Sequence, residues 1–180
     1  MTEQPDNQHE KQHSVYVQLA QASLEHYLQT KRPLPAPDPL PPGMDGRAGA
    51  FVSLKMHGTL RGCIGTIEPV RRNLAEEIIY NAVSAGVDDP RFRPVQPDEL
   101  PDLTVSVDVL APPEQIDGED ELDPKRYGVI VSARGRVGLL LPNLEGIDAV
   151  AEQVGIARQK AGLRSDEPAQ LARFEVIRYE

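Results

Sequence analysis

The chain has 180 residues, of which 39% are hydrophobic and 26% are charged, as is typical of one soluble globular domain. Its net charge of −9 argues against nonspecific binding to nucleic acid or to anionic membranes, because both need clustered lysine and arginine. No apolar run approaches the roughly 20 residues that span a bilayer, the start lacks the features of a signal peptide, and a single cysteine cannot form an internal disulfide, so we expect a cytoplasmic location.

The N-terminal part combines a polar tail, a helix and a proline-rich connector. Residues 1–12 have almost no apolar side chains and are predicted to be a disordered tail, so that residues 13–180 form the domain. Apolar residues at helical spacing predict a helix over 14–29 that Ser14 could cap. The prolines of 33–43 exclude helix and sheet interior and predict a stiff surface spacer, with a proline-rich ligand for a partner domain as the alternative.

A hairpin and a helix follow the connector. Residues 50–56 and 59–67 favour strands, and the sequence between them at 57–58 is His-Gly, a plausible tight turn. Apolar spacing over 70–83 predicts an amphipathic helix of roughly four turns. Gly86 is the predicted C-terminal cap of this helix.

The second half of the chain alternates strands, turns and helices. Its predicted elements are a polar loop at 88–94, a helical turn at 95–100, a half-buried strand at 103–109, an acidic loop at 114–124, a hairpin at 127–141, a helix at 147–162 and a strand at 174–178. Because hairpins recur, the sheet is expected to be mainly antiparallel with packed helices. The predicted fold class is therefore α+β.

The only cysteine lies in the motif Leu-Arg-Gly-Cys-Ile-Gly-Thr, on the second arm of the first hairpin. Residues two apart in a strand point to the same face, so Arg61 and Cys63 are predicted to project side by side and to border a cleft. Gly62 and Gly65 would leave the backbone bare, so that its amides could contact a ligand or stabilise an oxyanion. A nearby arginine would lower the pKa of the thiol.

Three roles for Cys63 stay open: a catalytic thiol, a thiol that lines a ligand site, and an inert core residue. A nucleophilic cysteine usually needs a general base. None of the histidines is placed beside it by sequence, and the remaining candidate partners are Glu68, Asp88 and Asp89. No metal-binding pattern such as CxxC or HExxH and no nucleotide-binding loop is present, so no metal or cofactor is predicted.

A second motif, Asp89-Pro90-Arg91-Phe92, is the candidate other half of the site. Arginine binds carboxylate or phosphate groups through two parallel hydrogen bonds, so Arg91 could anchor an anionic group. The alternative is structural: Asp89-Pro90 starts a turn, Arg91 pairs with an aspartate and Phe92 fills the core. We expect this segment to approach the Cys63 strand, because the intervening helix can fold back across the sheet.

The cysteine motif resembles the signature of the AMMECR domain family, and the similarity extends over residues ~14–180. The other matching segments are Phe51-Val52-Ser53-Leu54, Asp89-Pro90-Arg91-Phe92, Glu99-Leu100-Pro101-Asp102-Leu103 with Val105-Ser106-Val107, Gly138-Leu139-Leu140-Leu141-Pro142, Lys160-Ala161-Gly162-Leu163 and Phe174-Glu175. The resemblance implies an α+β fold with two lobes of unequal size, and we place the smaller lobe around 68–100. It also implies that the shared motifs gather around a cleft. Many relatives carry a tryptophan near the C-terminal helix, whereas this chain contains no tryptophan.

The resemblance implies no established reaction, but it suggests a pathway shared with Memo-like and radical SAM proteins. Two hypotheses follow. In the favoured one, the protein is a module that binds a small molecule, a peptide or a partner protein in a cleft lined by Gly62, Gly65, Thr66, Asp89, Arg91 and Phe92. In the alternative, it is a hydrolase or group transferase in which Cys63 is the nucleophile, Arg61 activates it and Arg91 anchors the substrate.

Overall fold

Two four-stranded antiparallel sheets organise residues 14–180, which are the residues that the computed structural model describes. The predicted tail at 1–12 lies outside them. The helices are α1 (Val15–Thr30), α2 (Leu74–Val87) and α3 (Val150–Lys160), and the strands are β1 (Ala50–Met56), β2 (Thr59–Gly65), β3 (Leu103–Leu110), β4 (Glu114–Ile116), β5 (Gly128–Ala133), β6 (Arg136–Leu140), β7 (Gln170–Phe174) and β8 (Val176–Tyr179). The first sheet has the order β2-β1-β3-β8 and the second β4-β7-β5-β6. The predicted α+β class is confirmed.

The first sheet packs against α1 and α2 and forms the larger core. Val52 and Leu54 of β1 are buried together with Leu24 of α1 and Ile78 of α2. The hairpin between β1 and β2 turns at 57–58, where both residues have positive φ angles of 50° and 80°. These angles belong to the tight turn whose twist matches the flanking strands, so the predicted hairpin is confirmed.

The two helices of this core differ in how well they match the prediction. Helix α1 begins after Ser14, whose hydroxyl accepts a hydrogen bond from the N–H of Val17, as predicted. Helix α2 begins at Leu74, later than predicted, because the side chain of Asn73 caps it. Gly86 is not the cap of α2: it lies inside the helix, where a Cβ would stand 2.4 Å from Leu24 of α1.

The second sheet packs against α3 and builds a separate, smaller core. Val129 and Val131 of β5 are buried against Val154 and Ala157 of α3. Residues 114–174 therefore form the smaller lobe. The predicted position around 68–100 is wrong, because α2 packs on the first sheet instead.

Two connections between the sheets also differ from the prediction. The predicted strand at 174–178 is interrupted at Glu175. Phe174 is the last residue of β7, and residues 176–178 belong to β8, which lies in the other sheet. The predicted acidic loop at 114–124 begins with strand β4, which pairs with β7. Both differences arise because strand pairing depends on distant partners. Within 14–180, no helix is long and apolar enough to cross a membrane.

Candidate functional site

A cavity of about 560 Å³ lies between the two sheets, with Cys63 in its wall. From the first sheet it is lined by Phe51, Ser53 and Lys55 of β1, by Leu60 and Cys63 of β2, and by Ser106 and Asp108 of β3. From the smaller lobe it is lined by Leu139 to Leu141, Leu144 and Lys160. The face of the first sheet opposite α1 and α2 therefore forms one wall of a cleft, and the smaller lobe forms the other.

Cys63 is partly buried, and hydrogen bonds hold its backbone and its sulfur. The Ser53 hydroxyl donates to Sγ at 3.2 Å, and the Cys63 N–H donates to Oδ2 of Asp89 at 2.9 Å. Burial raises the pKa of the Cys63 thiol, and this effect exceeds the lowering by the Ser53 hydrogen bond and the Arg91 charge. The predicted low thiol pKa is therefore wrong, and the thiol form predominates at neutral pH.

The segment 89–92 contacts the Cys63 strand, as predicted. The Asp89 carboxylate is 4% exposed and binds the Arg91 guanidinium at 2.7 Å and 3.0 Å. Hydrogen bonds from Arg91, opposed by burial, lower the pKa of Asp89 to about 2. Arg91 also donates to the carbonyl oxygen of Cys63 at 3.3 Å, and its guanidinium lies 5.4 Å from the ring centroid of the half-buried Phe92. The turn and the Arg91–aspartate pair of the structural alternative are both present, and Arg91 lines the cleft.

Arg61 does not lie beside Cys63, so this prediction is wrong. Leu54 pairs with Gly62 while Lys55 pairs with Leu60, which leaves Arg61 as the extra residue of a β-bulge. The bulge reverses the alternation, so Leu60 lines the cavity where Arg61 was expected. The Arg61 guanidinium instead binds both carboxylate oxygens of Glu99 at 2.9 Å.

The remaining motif residues position β2. A Cβ on Gly62 would stand 2.0 Å from the carbonyl oxygen of Ala85 in α2, so this glycine faces the helix and not the cleft. A Cβ on Gly65 would stand 2.2 Å from the Phe51 ring, which covers it. The predicted exposure of the backbone to a ligand is therefore not found at these two glycines. Thr66 also faces α2, where its hydroxyl donates to the buried carboxylate of Glu77 at 2.7 Å.

The cleft contains two features that the sequence analysis missed. Asp108 is 2% exposed and binds the Arg178 guanidinium at 2.7 Å and 3.0 Å. Lys160, the last residue of α3, lines the cavity, and burial lowers its pKa. The polar alternation of β3 was a usable signal for Asp108. No local pattern indicates Lys160, because its helix belongs to the other lobe.

The described residues contain no group of three or more histidine, cysteine, aspartate and glutamate side chains placed to hold a metal ion. The polar groups that converge on the cleft are instead hydroxyl, thiol, carboxylate, guanidinium and amine groups. Such a set can bind a small polar molecule through hydrogen bonds and charge. It also places one thiol and two amines, those of Lys55 and Lys160, in a common cavity.

Comparison with known proteins identifies the family. The AMMECR1 family model matches residues 17–180. A Thermotoga maritima protein is 49% identical over 168 residues, which cover 92% of this chain and 97% of the relative. A Clostridium acetobutylicum protein is 53% identical over 167 residues, but the chain spans only 36% of its length. The crystal structure of an uncharacterised Pyrococcus horikoshii protein has a TM-score of 0.84 at 35% identity and covers 91% of this chain and 88% of its own. The chain therefore belongs to the AMMECR1 family.

Proposed function

We propose that this protein is a binding module that holds a small molecule in the cleft between its two sheets, beside Cys63. The observation that carries the proposal is the cavity of about 560 Å³, a volume within the range of small-molecule sites. One of its walls is apolar and contains Leu139, Leu141 and Leu144. Several polar groups converge from the opposite wall, as expected for a site that both buries and orients a ligand.

The polar wall is held in place before any ligand arrives. Buried carboxylates bind both cleft arginines: Asp89 binds Arg91, and Asp108 binds Arg178. Side chains whose positions are determined by such contacts lose little entropy on binding, which favours affinity and specificity. The raised pKa of the thiol supports a role for Cys63 as a neutral group that lines the site.

The test is a thermal-shift screen of small metabolites against the wild type and a variant with a filled cleft. Ser106→Tyr places a large side chain on the cleft face of β3, opposite Ser53. We expect some compounds to raise the melting temperature of the wild type but not that of the variant. Wild-type protein alkylated at Cys63 with N-ethylmaleimide is a second blocked form that needs no substitution. If every compound that raises the melting temperature of the wild type raises that of both blocked forms by the same amount, the proposal is contradicted.

The second candidate is an enzyme, and one specific observation favours it: Lys160 and Cys63 line the same cavity, and burial lowers the pKa of Lys160. Lys160 could serve as the general base that no histidine supplies. The amine would take the thiol proton while the sulfur attacks an acyl carbon and the leaving group departs. Water would then hydrolyse the thioester.

Hydrolysis of p-nitrophenyl acetate tests this alternative. The enzyme hypothesis expects the release of p-nitrophenolate to fall at least tenfold in both Cys63→Ser and Lys160→Met. Equal rates in the wild type and in both variants would exclude the proposed roles of Cys63 and Lys160. The cytoplasmic location, and the pathway with Memo-like and radical SAM proteins that the family resemblance implies, stay predictions.

A further inference from the structure

We propose that the ligand of this cleft carries one carboxylate or phosphate group on an apolar body, with the anionic group between Arg91 and Lys160 and the body against the leucines of the smaller lobe. This inference rests on the proposed binding function and adds the chemical class of the ligand. It uses the distribution of charge and apolar surface around the cavity. These features are independent of the cavity's size.

The two cleft arginines are held in place by aspartates but keep free hydrogen-bond donors. Asp89 binds Nε and Nη2 of Arg91, and Asp108 binds the same two nitrogens of Arg178. Between residues 14 and 180, neither Nη1 has a hydrogen-bond partner. A guanidinium held in this way still offers N–H groups, the donors that carboxylates and phosphates prefer.

The cavity wall contains more basic than acidic side chains. Four basic side chains line the cavity, on Lys55, Arg91, Lys160 and Arg178, against three acidic ones. Asp89 and Asp108 neutralise the two arginines, and Glu180 lies where its charge acts on Arg178. Neither Lys55 nor Lys160 forms an ion pair with any residue that the structure describes. Because the whole chain has a net charge of −9, a cleft wall with more basic than acidic side chains is a local exception.

Arg91 and Lys160 mark the expected position of the anionic group within the cavity. Arg91 donates to the carbonyl oxygen of Cys63 at 3.3 Å, and Lys160 lines the same cavity as both residues. The charges of Arg91 and Cys63 also act on Lys160, which agrees with the proximity of the three groups. Arg91 comes from the first lobe and Lys160 from the smaller one, so an anion between them would bridge the two lobes. The leucines of β6 and the segment after it complete the wall of the smaller lobe. An apolar body placed there would bury its surface away from water.

The single thiol allows a direct test of the charge. Iodoacetate and iodoacetamide alkylate cysteine in the same way, but iodoacetate carries one negative charge and iodoacetamide carries none. The rate constant for iodoacetate divided by that for iodoacetamide therefore reports the electrostatic potential at Cys63. The thiol pKa cancels in this ratio. We expect the ratio for the folded protein to exceed that of the chain unfolded in urea, and to fall about twofold to threefold in Lys160→Met. Arg32→Gln, which removes an exposed charge after α1, should leave the ratio unchanged. A ratio no higher in the folded protein would overturn the inference.

The ligand class is tested with octanoate, octyl phosphate and octanol as agents that protect Cys63 from iodoacetamide. Protection by octanoate or octyl phosphate but not by octanol supports the inference, and the stronger of the two anions identifies the head group. Protection by octanol equal to that by both anions would overturn the anionic class and leave the binding function standing. If none of the three protects, the inference also fails. The binding function itself fails only if the thermal-shift screen yields no compound that requires an open cleft.

Discussion

The Asp89 carboxylate accepts a hydrogen bond from the backbone N–H of Cys63 at 2.9 Å while it binds the Arg91 guanidinium. One buried side chain therefore joins the loop after α2 to the strand that carries the cysteine. It also occupies the cysteine amide that could otherwise have served an oxyanion. The relationship makes Asp89 a positioning residue for the cleft, and its contribution can be measured.

Replacement of Asp89 by asparagine should lower the free energy of unfolding by about 2–3 kcal/mol, because an amide cannot accept every hydrogen bond that the carboxylate accepts. The change also removes the negative charge that pairs with Arg91. Urea denaturation followed by circular dichroism measures the effect. The control is Asp166→Asn, since the Arg164–Asp166 pair is exposed and should contribute less than about 0.5 kcal/mol. Equal stability of both variants would contradict the assigned role.

The same carboxylate should make the stability depend on pH in the acid range. Its pKa is lowered from 3.8 to about 2 in the folded state, so below pH 3.8 the unfolded chain binds more protons than the folded chain. The contribution of Asp89 is therefore complete above pH 3.8 and is lost as the pH falls towards 2, a loss of about 2 kcal/mol. The measurement is the unfolding free energy of wild type minus that of Asp89→Asn between pH 6 and pH 2. A difference that stays constant over this range would contradict the lowered pKa.

The Cys63 thiol should titrate above the pH at which it titrates in the unfolded chain. Burial is the main cause, and the Ser53 hydroxyl opposes it by donating to the sulfur. The rate of alkylation by iodoacetamide as a function of pH gives the midpoint for the folded and the urea-unfolded protein. Ser53→Ala should raise the midpoint further, whereas Ser106→Ala, on the neighbouring strand, is the control. A midpoint below that of the unfolded chain would contradict this prediction and support a thiol with a lowered pKa.

A side chain at Gly62 should be strongly destabilising. The Cβ of Gly62→Ala would stand 2.0 Å from a backbone oxygen of Ala85, so β2 and α2 would have to separate, at a cost of about 3 kcal/mol or more. The matched control is Gly155→Ala in α3, where the added Cβ meets no neighbour within 4 Å. The control should gain up to about 1 kcal/mol from helix propensity. Thermal unfolding of both variants measures the effect. A Gly62→Ala variant as stable as the wild type would show that the close approach of β2 and α2 at Gly62 is not required.

Two N-terminal deletions should differ sharply in stability. Removal of residues 1–12 should change the melting temperature by less than about 2 °C, because these residues have almost no apolar side chains to bury. Removal of residues 1–30 also deletes α1, whose Val17, Leu24 and Leu28 are 0–6% exposed in the larger core. The loss of this burial should lower the melting temperature by more than about 10 °C. Equal melting temperatures would show that α1 is not part of the domain.

Local chemistry explains why part of the structure could be predicted. The His57-Gly58 turn and the Ser14 cap depend on residues a few positions apart, so the sequence contains their whole cause. The approach of Asp89 to Cys63 was also predicted, because a helix that packs on its own sheet returns the chain to the strand before it. By contrast, the break at Glu175 depends on which strands pair with β7 and β8.

The sequence by itself determined the family, the α+β class and the two motifs that meet at the cleft. Only the tertiary structure decided the chemistry of the site. Packing of Gly62 against α2 accompanies the bulge that turns Arg61 towards Glu99, and burial raises the pKa of Cys63 where its neighbours in sequence suggested the opposite. Lys160 and the leucine wall belong to the smaller lobe and lie more than 70 residues after Cys63 along the chain. The reason is physical: hydrogen-bonded turns and caps act over a few residues, whereas burial, charge balance and cavity shape depend on all the segments that the fold brings together.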